Sequence, residues 1–242
     1  MTSPLRLRPA AGLLVALLLP LAGCAGLSDL DFGDLAGQAP LDEATVTRGL
    51  REALAVGTDR TVAATGREDG YLGNELIRIA LPAELDGMSR TLRDLGMGAV
   101  VDDLAVGMNR AAEAAAGEAA DVFLEAVRGM TIADAFAILD GGDTAATEYF
   151  RARTGTALAA RFQPIVTAKM NDVGVFPVYS RLYDSYTRIP LVEKPDLDLV
   201  GYVTDEALDG LFTVLAQEEK RIRDDPLART TALLQRVFGS GR

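Results

Sequence analysis

The sequence predicts an all-α fold, a single-domain bundle of about eight helices with at most one short two-stranded ribbon. Apolar residues recur every three or four positions through most of the stretch 42–239, which is the period of an amphipathic helix. Helix-start and helix-stop residues separate these stretches, and two short segments instead alternate with the period of a strand. About 200 residues are enough for one domain with a full hydrophobic core.

The N-terminus predicts an exported precursor. Arg6 and Arg8 form a short basic region, and the apolar run 10–21 follows it. This run has the length of an export signal and is too short to span a membrane as a helix. The tetrapeptide LAGC at 21–24 resembles the bacterial lipobox, which implies that residues 1–23 are removed and that Cys24 carries a membrane-anchoring lipid. The alternative is an ordinary signal peptide followed by a free thiol.

Residues 24–41 are expected to form the lipidated cysteine and a flexible tether, since they are rich in Gly and Asp and have no sustained period. Position 25, which helps to sort lipoproteins of Gram-negative bacteria between membranes, is Ala and not Asp. By that analogy the protein is expected on the outer membrane, facing the periplasm. No disulfide is expected, because Cys24 is the only cysteine of the chain.

The charge of the chain predicts which surfaces it avoids. Residues 1–23 contain two Arg and no acid, so their removal leaves 22 basic and 35 acidic residues, a net charge of −13. A polyanion of this size repels nucleic acid and anionic lipid headgroups. We therefore expect no nucleic-acid partner, and membrane attachment through the lipid alone.

The globular part is expected to begin with a helix capped by Asp42. Residues 77–81 alternate and are expected to be extended, and 197–200 form a second short extended stretch, so these two segments are the candidates for the ribbon. Pro82 fits the first turn of the next helix, which Gly96 ends.

The longest predicted helix covers about 30 residues, from 99 to 130, and would be about 45 Å long. Its apolar stripe is unbroken, and Gly117 does not disturb the phase. Small side chains in its middle allow a second helix to cross closely, and the helix 144–162 is the expected neighbour. These small residues are Ala111, Ala112, Ala115 and Ala119. Ala114 lies on the opposite face, which is expected to be exposed.

The second half of the chain continues the helical pattern. Thr131 is placed to cap a short helix, and Asp143 is placed to begin another that kinks or breaks before Pro164. Two helical pieces divided near Gly174 follow. Thr204 is then expected to cap a further helix, and a last helix ends the domain.

The residue types of the chain exclude most catalytic chemistry. It contains no His and no Trp, and its one Cys is the residue expected to be lipidated. This removes the commonest general base, the Ser-His-Asp and Cys-His nucleophile systems, and nearly all zinc sites. No glycine-rich phosphate loop or calcium loop is present. We predict no catalytic residue, metal or cofactor, although paired carboxylates remain open as an acid and a base.

Three tyrosines are the first candidate ligand-binding residues. Tyr179, Tyr183 and Tyr186 follow helical spacing, which places their rings on one side of a helix. One interpretation is core packing with the hydroxyls at the edge of the core. The other is a groove for a peptide or acyl ligand, since tyrosine combines an apolar ring with a polar group.

Arg78 and Asp143 complete the candidate ligand-binding residues. Arg78 stands between two apolar positions of the extended segment. It could pair with a surface acid, or it could be a buried cation that orders the polar segments around Asp143 or Asp198. A pocket that gathers Arg78, Asp143 and a tyrosine would favour a ligand site or an enzyme. A solid core with these groups on separate surfaces would favour protein–protein contact.

Several long strings of the chain resemble a bacterial family known as domain of unknown function 4197. They are NELIRIALP at 74–82, GMNRAAEAAA at 107–116, AFAILDGGDTAATEYFR at 135–151, FQPIV at 162–166 and the segment 196–239. The resemblance runs from about residue 42 to 239. It implies an exported helical domain, often behind a lipobox. It implies no catalytic residues, because the family has no assigned activity.

Two functions fit these observations. The first is a non-enzymatic envelope lipoprotein, a helical scaffold that binds a protein partner or a small amphipathic ligand in the periplasm. The anchor, the tether, the missing catalytic residue types and the acidic composition favour it. The second is a hydrolase or lyase that acts on an envelope polymer through carboxylate, Arg and Tyr side chains.

Overall fold

Helices account for most of the chain that the structure describes. The structure is a computed structural model, and it describes residues 42–229 and 231–239, so the predicted signal peptide, Cys24 and the whole of the predicted tether lie outside the described residues. The nine α-helices of the described residues are α1 (Glu43–Thr65), α2 (Asp86–Asp94), α3 (Gly98–Ala116), α4 (Ala119–Gly129), α5 (Ile132–Leu139), α6 (Ala145–Asp172), α7 (Val175–Thr187), α8 (Leu199–Asp224) and α9 (Ala232–Gly239). Short 3₁₀ helices cover Ala83–Leu85 and Pro226–Ala228.

An aromatic cluster marks the centre of the bundle. Helix α6 packs against α3, α4 and α8, and α1 covers α4 and α8. Phe123 of α4 is fully buried, and its ring meets Phe150 of α6 edge to face with 5.5 Å between the centroids. On its other side Phe123 meets Phe212 of α8 in the same manner at 5.7 Å. The rings of Phe150, Phe123 and Phe212 thus form a row of contacts, the aromatic chain, that joins the three helices. The predicted all-α single domain is confirmed.

The expected ribbon is absent from the described residues, which contain no β-strand. Segment 77–81 is neither helix nor strand, and the hydrogen-bond partner of its backbone is a side chain. The Ile79 N–H donates to Asn109 Oδ1 at 2.9 Å, and Asn109 Nδ2 donates to the Ile79 carbonyl at 2.8 Å. The other half of the ribbon begins α8 instead, because Asp198 accepts from the Gly201 N–H at 2.9 Å and caps the helix. The prediction that Thr204 caps this helix is therefore wrong.

The long helix expected over 99–130 is two helices, α3 and α4, with a break at Gly117 and Glu118. Glycine has low helix propensity, and the end of α1 approaches the chain here. A Cβ atom on Gly66 would lie 3.4 Å from the Gly117 nitrogen, so the two backbones are close neighbours. The buried stripe nevertheless continues across the break, with Ala115 and Ala119 both fully buried.

Of the kink or break expected before Pro164, the break does not occur, because helix α6 runs continuously through this residue. Proline removes one backbone hydrogen bond from a helix, which leaves the carbonyl of residue 160 without its N–H donor. Both Ala160 and Pro164 are exposed, so water can reach that carbonyl. On the opposite face, fully buried Phe162 and Val166 hold the helix against the core. Burial on that face keeps α6 continuous.

The side of α3 that faces the core can be tested with two alanines. Ala112 is fully buried, Ala114 is exposed, and α3 packs against α6 as predicted. Ala112→Leu is expected to lower the free energy of unfolding by about 1–3 kcal/mol, because the added atoms overpack the crossing. Ala114→Leu is expected to change it by less than about 0.5 kcal/mol. Urea melts measure both values. Equal losses at the two positions would contradict a single buried face.

Candidate functional site

Arg78 and Asp143 have separate local partners in the structure. Arg78 is exposed, and its Nε donates to the Leu72 carbonyl at 2.7 Å. Asp143 is exposed as well and accepts from Lys220 Nζ at 3.0 Å. The interpretation of Arg78 as a buried cation is therefore wrong. No hydrogen bond or ion pair among residues 42–229 and 231–239 joins Arg78 to Asp143, so a bonded group of these two residues and a tyrosine, which would favour a ligand site or an enzyme, is not found there.

The three tyrosines lie on α7, but their environments differ. Tyr179 and Tyr183 are partly buried, with ring centroids 6.0 Å apart. Tyr186, one turn later, is 7% exposed. Between them Leu182 is fully buried, so this side of α7 faces the core. Core packing thus accounts for part of the cluster, while Tyr186 also borders a surface cavity.

This cavity, which we call the Tyr186 pocket, has a volume of about 410 Å³. It lies where the start of α2 and the end of α7 meet the segment 193–196. The residues that line it are Glu84, Gly87, Met88, Tyr186, Glu193, Lys194, Pro195 and Asp196. Tyr186 and Met88 are buried and form its inner surface, whereas the charged residues are exposed. The volume is within the range of small-molecule sites.

The polar groups of the Tyr186 pocket are unengaged. Within the part of the chain that the structure describes, no ion pair or hydrogen bond is made by the side chains of its charged lining residues (Glu84, Glu193, Lys194 and Asp196) or by the Tyr186 hydroxyl. The charge of Asp196 also affects the pKa of Tyr179, which lies nearby on α7. Burial, Tyr183 and Asp196 together raise the pKa of Tyr179, so the Asp196 carboxylate lies within electrostatic reach of that ring.

A second surface cavity, of about 480 Å³, lies where the loop after α1 meets α8. Several of its polar lining residues are already engaged. Asp69 accepts from Arg110 at 2.8 Å, Asn74 accepts from the Leu76 N–H at 3.1 Å, and Glu218 pairs with Arg221. Because these groups stabilise the protein itself, the Tyr186 pocket is the better candidate site.

The sequence reasoning missed the buried acids of the domain; two of them accept hydrogen bonds from backbone N–H groups, and the first of these is Glu219. Glu219 lies on α8 and has a side chain only 6% exposed. Its two carboxylate oxygens accept from the N–H groups of Ala146 and Thr147, each at 2.9 Å, at the start of α6. The same carboxylate pairs with Arg223 at 2.8 Å, and Arg223 also donates to the Ile138 carbonyl. This contact replaces the cap that Asp143 was expected to supply. In the sequence, Glu219 stands in a charged run that suggests a solvated face.

The second buried acid is Glu113 of α3. It accepts from the N–H groups of Tyr71 and Leu72 at 3.1 Å each, and from Arg110 at 2.7 Å. Hydrogen bonds from this guanidinium to Glu113 and Asp69 raise the pKa of Arg110. Burial, followed by the Glu113 charge, raises the pKa of Tyr71, whose hydroxyl donates to the Ala207 carbonyl at 2.6 Å. The sequence does carry a signal for this site, since Glu113 is a single acid among the alanines of the run 111–116.

The described residues offer neither a metal site nor a membrane-spanning helix. They contain no group of three or more His, Cys, Asp or Glu side chains placed to hold a metal ion. None of the described helices combines the length and the apolar character needed to cross a membrane.

The fold and its buried contacts define an all-helical domain in which Glu113 and Glu219 hold loops and helix ends in place. Comparison with known families then identifies it. Residues 40–239 match the family described as a protein of unknown function, DUF4197, and the chain belongs to this family. The resemblance found in the sequence is thereby confirmed. No curated protein and no solved structure matched the chain.

Proposed function

We propose that the protein is a lipid-anchored, non-enzymatic scaffold of the cell envelope that binds a small ligand in the Tyr186 pocket. The observation that carries the binding role is this pocket, in which a buried tyrosine meets charged side chains that have no partner among the described residues. The LAGC tetrapeptide supports the anchor at Cys24, and Ala25 supports an outer-membrane position facing the periplasm.

A structural role fits the buried acids Glu113 and Glu219 better than a catalytic one. An acid–base enzyme needs carboxylates that can exchange protons with a substrate. The buried carboxylates Glu113 and Glu219 are instead engaged by backbone N–H groups and arginines. Such charge-assisted hydrogen bonds hold a carboxylate in one position, so these two side chains stabilise the domain.

The anchor is tested by Cys24→Ala. The unaltered protein is expected to incorporate labelled fatty acid and to fractionate with membranes. The variant is expected to incorporate none, because the thiol is the attachment point, and to stay uncleaved or become soluble in the periplasm. Ala25→Asp is the control, since it keeps the thiol and is expected to keep the label. Entry of label into the Cys24 variant would show that the anchor lies elsewhere.

The binding role is tested by filling the pocket with Gly87→Leu. A Cβ atom on Gly87 would lie 3.5 Å from the Tyr186 hydroxyl, an ordinary contact, so a larger side chain there occupies the space beside it. Native mass spectrometry of full-length protein extracted from envelopes in detergent is expected to show a bound small molecule that Gly87→Leu loses. Gly155→Leu on α6 is the control, because nothing lies within 4 Å of a Cβ atom there. Retention of the ligand by the Gly87 variant would exclude this pocket.

A further inference from the structure

The geometry points to a small organic cation, an alkyl- or methylammonium compound, as the ligand of the Tyr186 pocket. This inference rests on the proposed binding function and names its ligand class. It is drawn from the buried tyrosine, the size of the pocket and the charges of its exposed lining residues, which we call the rim (Glu84, Glu193, Lys194 and Asp196).

The charge of the rim selects the sign of the ligand. Three carboxylates, those of Glu84, Glu193 and Asp196, surround the pocket against the one ammonium group of Lys194. Since none of them makes an ion pair with a described residue, the local field is that of a net negative site. A cleft lined mainly by one sign of charge concentrates ligands of the opposite sign. The net charge of the whole chain, −11, has the same sign.

The inner surface selects an organic cation over a strongly hydrated ion. Tyr186 and Met88 line the pocket with an aromatic and a thioether side chain, and both residues are buried. Aromatic rings attract ammonium groups, and aromatic cages are a common means of binding methylated ammonium groups. The Tyr186 hydroxyl, which has no partner among the described residues, can accept a hydrogen bond from an N–H of the ligand or donate to its hydroxyl.

The positive charge of Lys194 can be used to test whether the ligand is a cation or an anion. Lys194 opposes an ammonium ligand and would attract an anionic one. Replacing Lys194 with Met keeps the length of the side chain and removes its charge. Because Lys194 is exposed, this change is expected to leave the fold intact.

The experiment is a titration of the full-length protein in detergent, labelled with 3-fluorotyrosine and followed by ¹⁹F NMR. The chain has 6 tyrosines, and Tyr186→Phe assigns the Tyr186 signal. The probes are choline and 3,3-dimethyl-1-butanol, which has the same shape without the charge. Choline is expected to shift the Tyr186 signal saturably and to bind about ten-fold more tightly than the alcohol, from cation–aromatic and carboxylate attraction. Lys194→Met is expected to tighten choline binding, and raised salt to weaken it.

Three outcomes would overturn the inference. Equal affinities for choline and the neutral alcohol would show that the pocket binds by shape and not by charge, and the proposed binding function would stand. Weaker choline binding in Lys194→Met would show that the charges lining the pocket do not control the binding of a cation. No saturable shift with either probe would exclude this ligand class. The native mass spectrometry of the Gly87 variant reports on the binding function independently of the ligand's charge.

Discussion

Phe123→Ala is expected to lower the free energy of unfolding by about 3–5 kcal/mol, the cost of a large cavity in a packed core. Phe123 is fully buried and is the middle member of the aromatic chain formed with Phe150 and Phe212. Truncation removes both edge-to-face contacts, which contribute about 0.5–1.5 kcal/mol each beyond area burial. It also opens a cavity between α4, α6 and α8. A urea or thermal melt of the variant measures the loss.

The matched control is Leu227→Ala. Leu227 is apolar like Phe123 but 90% exposed, so its truncation is expected to change stability by less than about 0.5 kcal/mol. Similar losses in the two variants would show that Phe123 is not the centre of the core. A near-UV circular dichroism spectrum adds a second readout, because loss of the fixed aromatic contacts is expected to reduce its intensity.

Glu219→Ala is expected to destabilise the domain by a similar amount, about 3–5 kcal/mol, because it breaks a buried ion pair and leaves one charge without its partner. The variant leaves the Arg223 guanidinium, 14% exposed, without its carboxylate. It also leaves the N–H groups of Ala146 and Thr147 unbonded at the first turn of α6. Chemical denaturation measures this loss, and hydrogen exchange of the first turn of α6 is expected to accelerate.

The control for Glu219 is an exposed ion pair that also joins α6 and α8. Arg151 Nη1 lies 2.5 Å from Asp209 Oδ1, with the two side chains 50% and 64% exposed. Asp209→Ala is expected to cost no more than about 1 kcal/mol, since water solvates both partners. Glu219→Leu combined with Arg223→Met should recover part of the loss, because a buried pair replaced as a whole leaves no unpaired charge. Equal costs at Glu219 and Asp209 would contradict the buried-pair account.

Much of the fold could be predicted because it depends on local patterns. The three-four spacing predicts the helices and the buried face of α3, and the capping box of Thr131 and Asp134 forms at the start of α5 as expected. Each of these features is set by residues within about two helical turns of each other. Tyr186 was found in the same way, as one member of a helical stripe.

The remaining features depend on residues distant in the sequence. Gly117 ends α3 where Gly66 brings another backbone close, and Pro164 stays inside α6 because the core holds the opposite face. Glu219 is buried because the first turn of α6 packs against it, and the Ala146 N–H that it accepts from lies 73 residues earlier in the chain. Periodicity contains no information about such contacts. The Tyr186 pocket is hidden for the same reason, since Glu84 and Asp196 come from different segments.

The anchoring of the loop between α1 and α2 has a consequence for the order of folding. This loop has no helix or strand through residue 82, and its fixed contacts reach to Asn109, Glu113 and Ala207, over 30, 42 and 136 residues. Contacts at long sequence separation form only after the cost of closing the intervening chain has been met. We therefore expect the loop to complete its native contacts only after α3 and α8 have come together. The bond from Tyr71 to Ala207, which has the longest sequence separation of these contacts, is expected to form last.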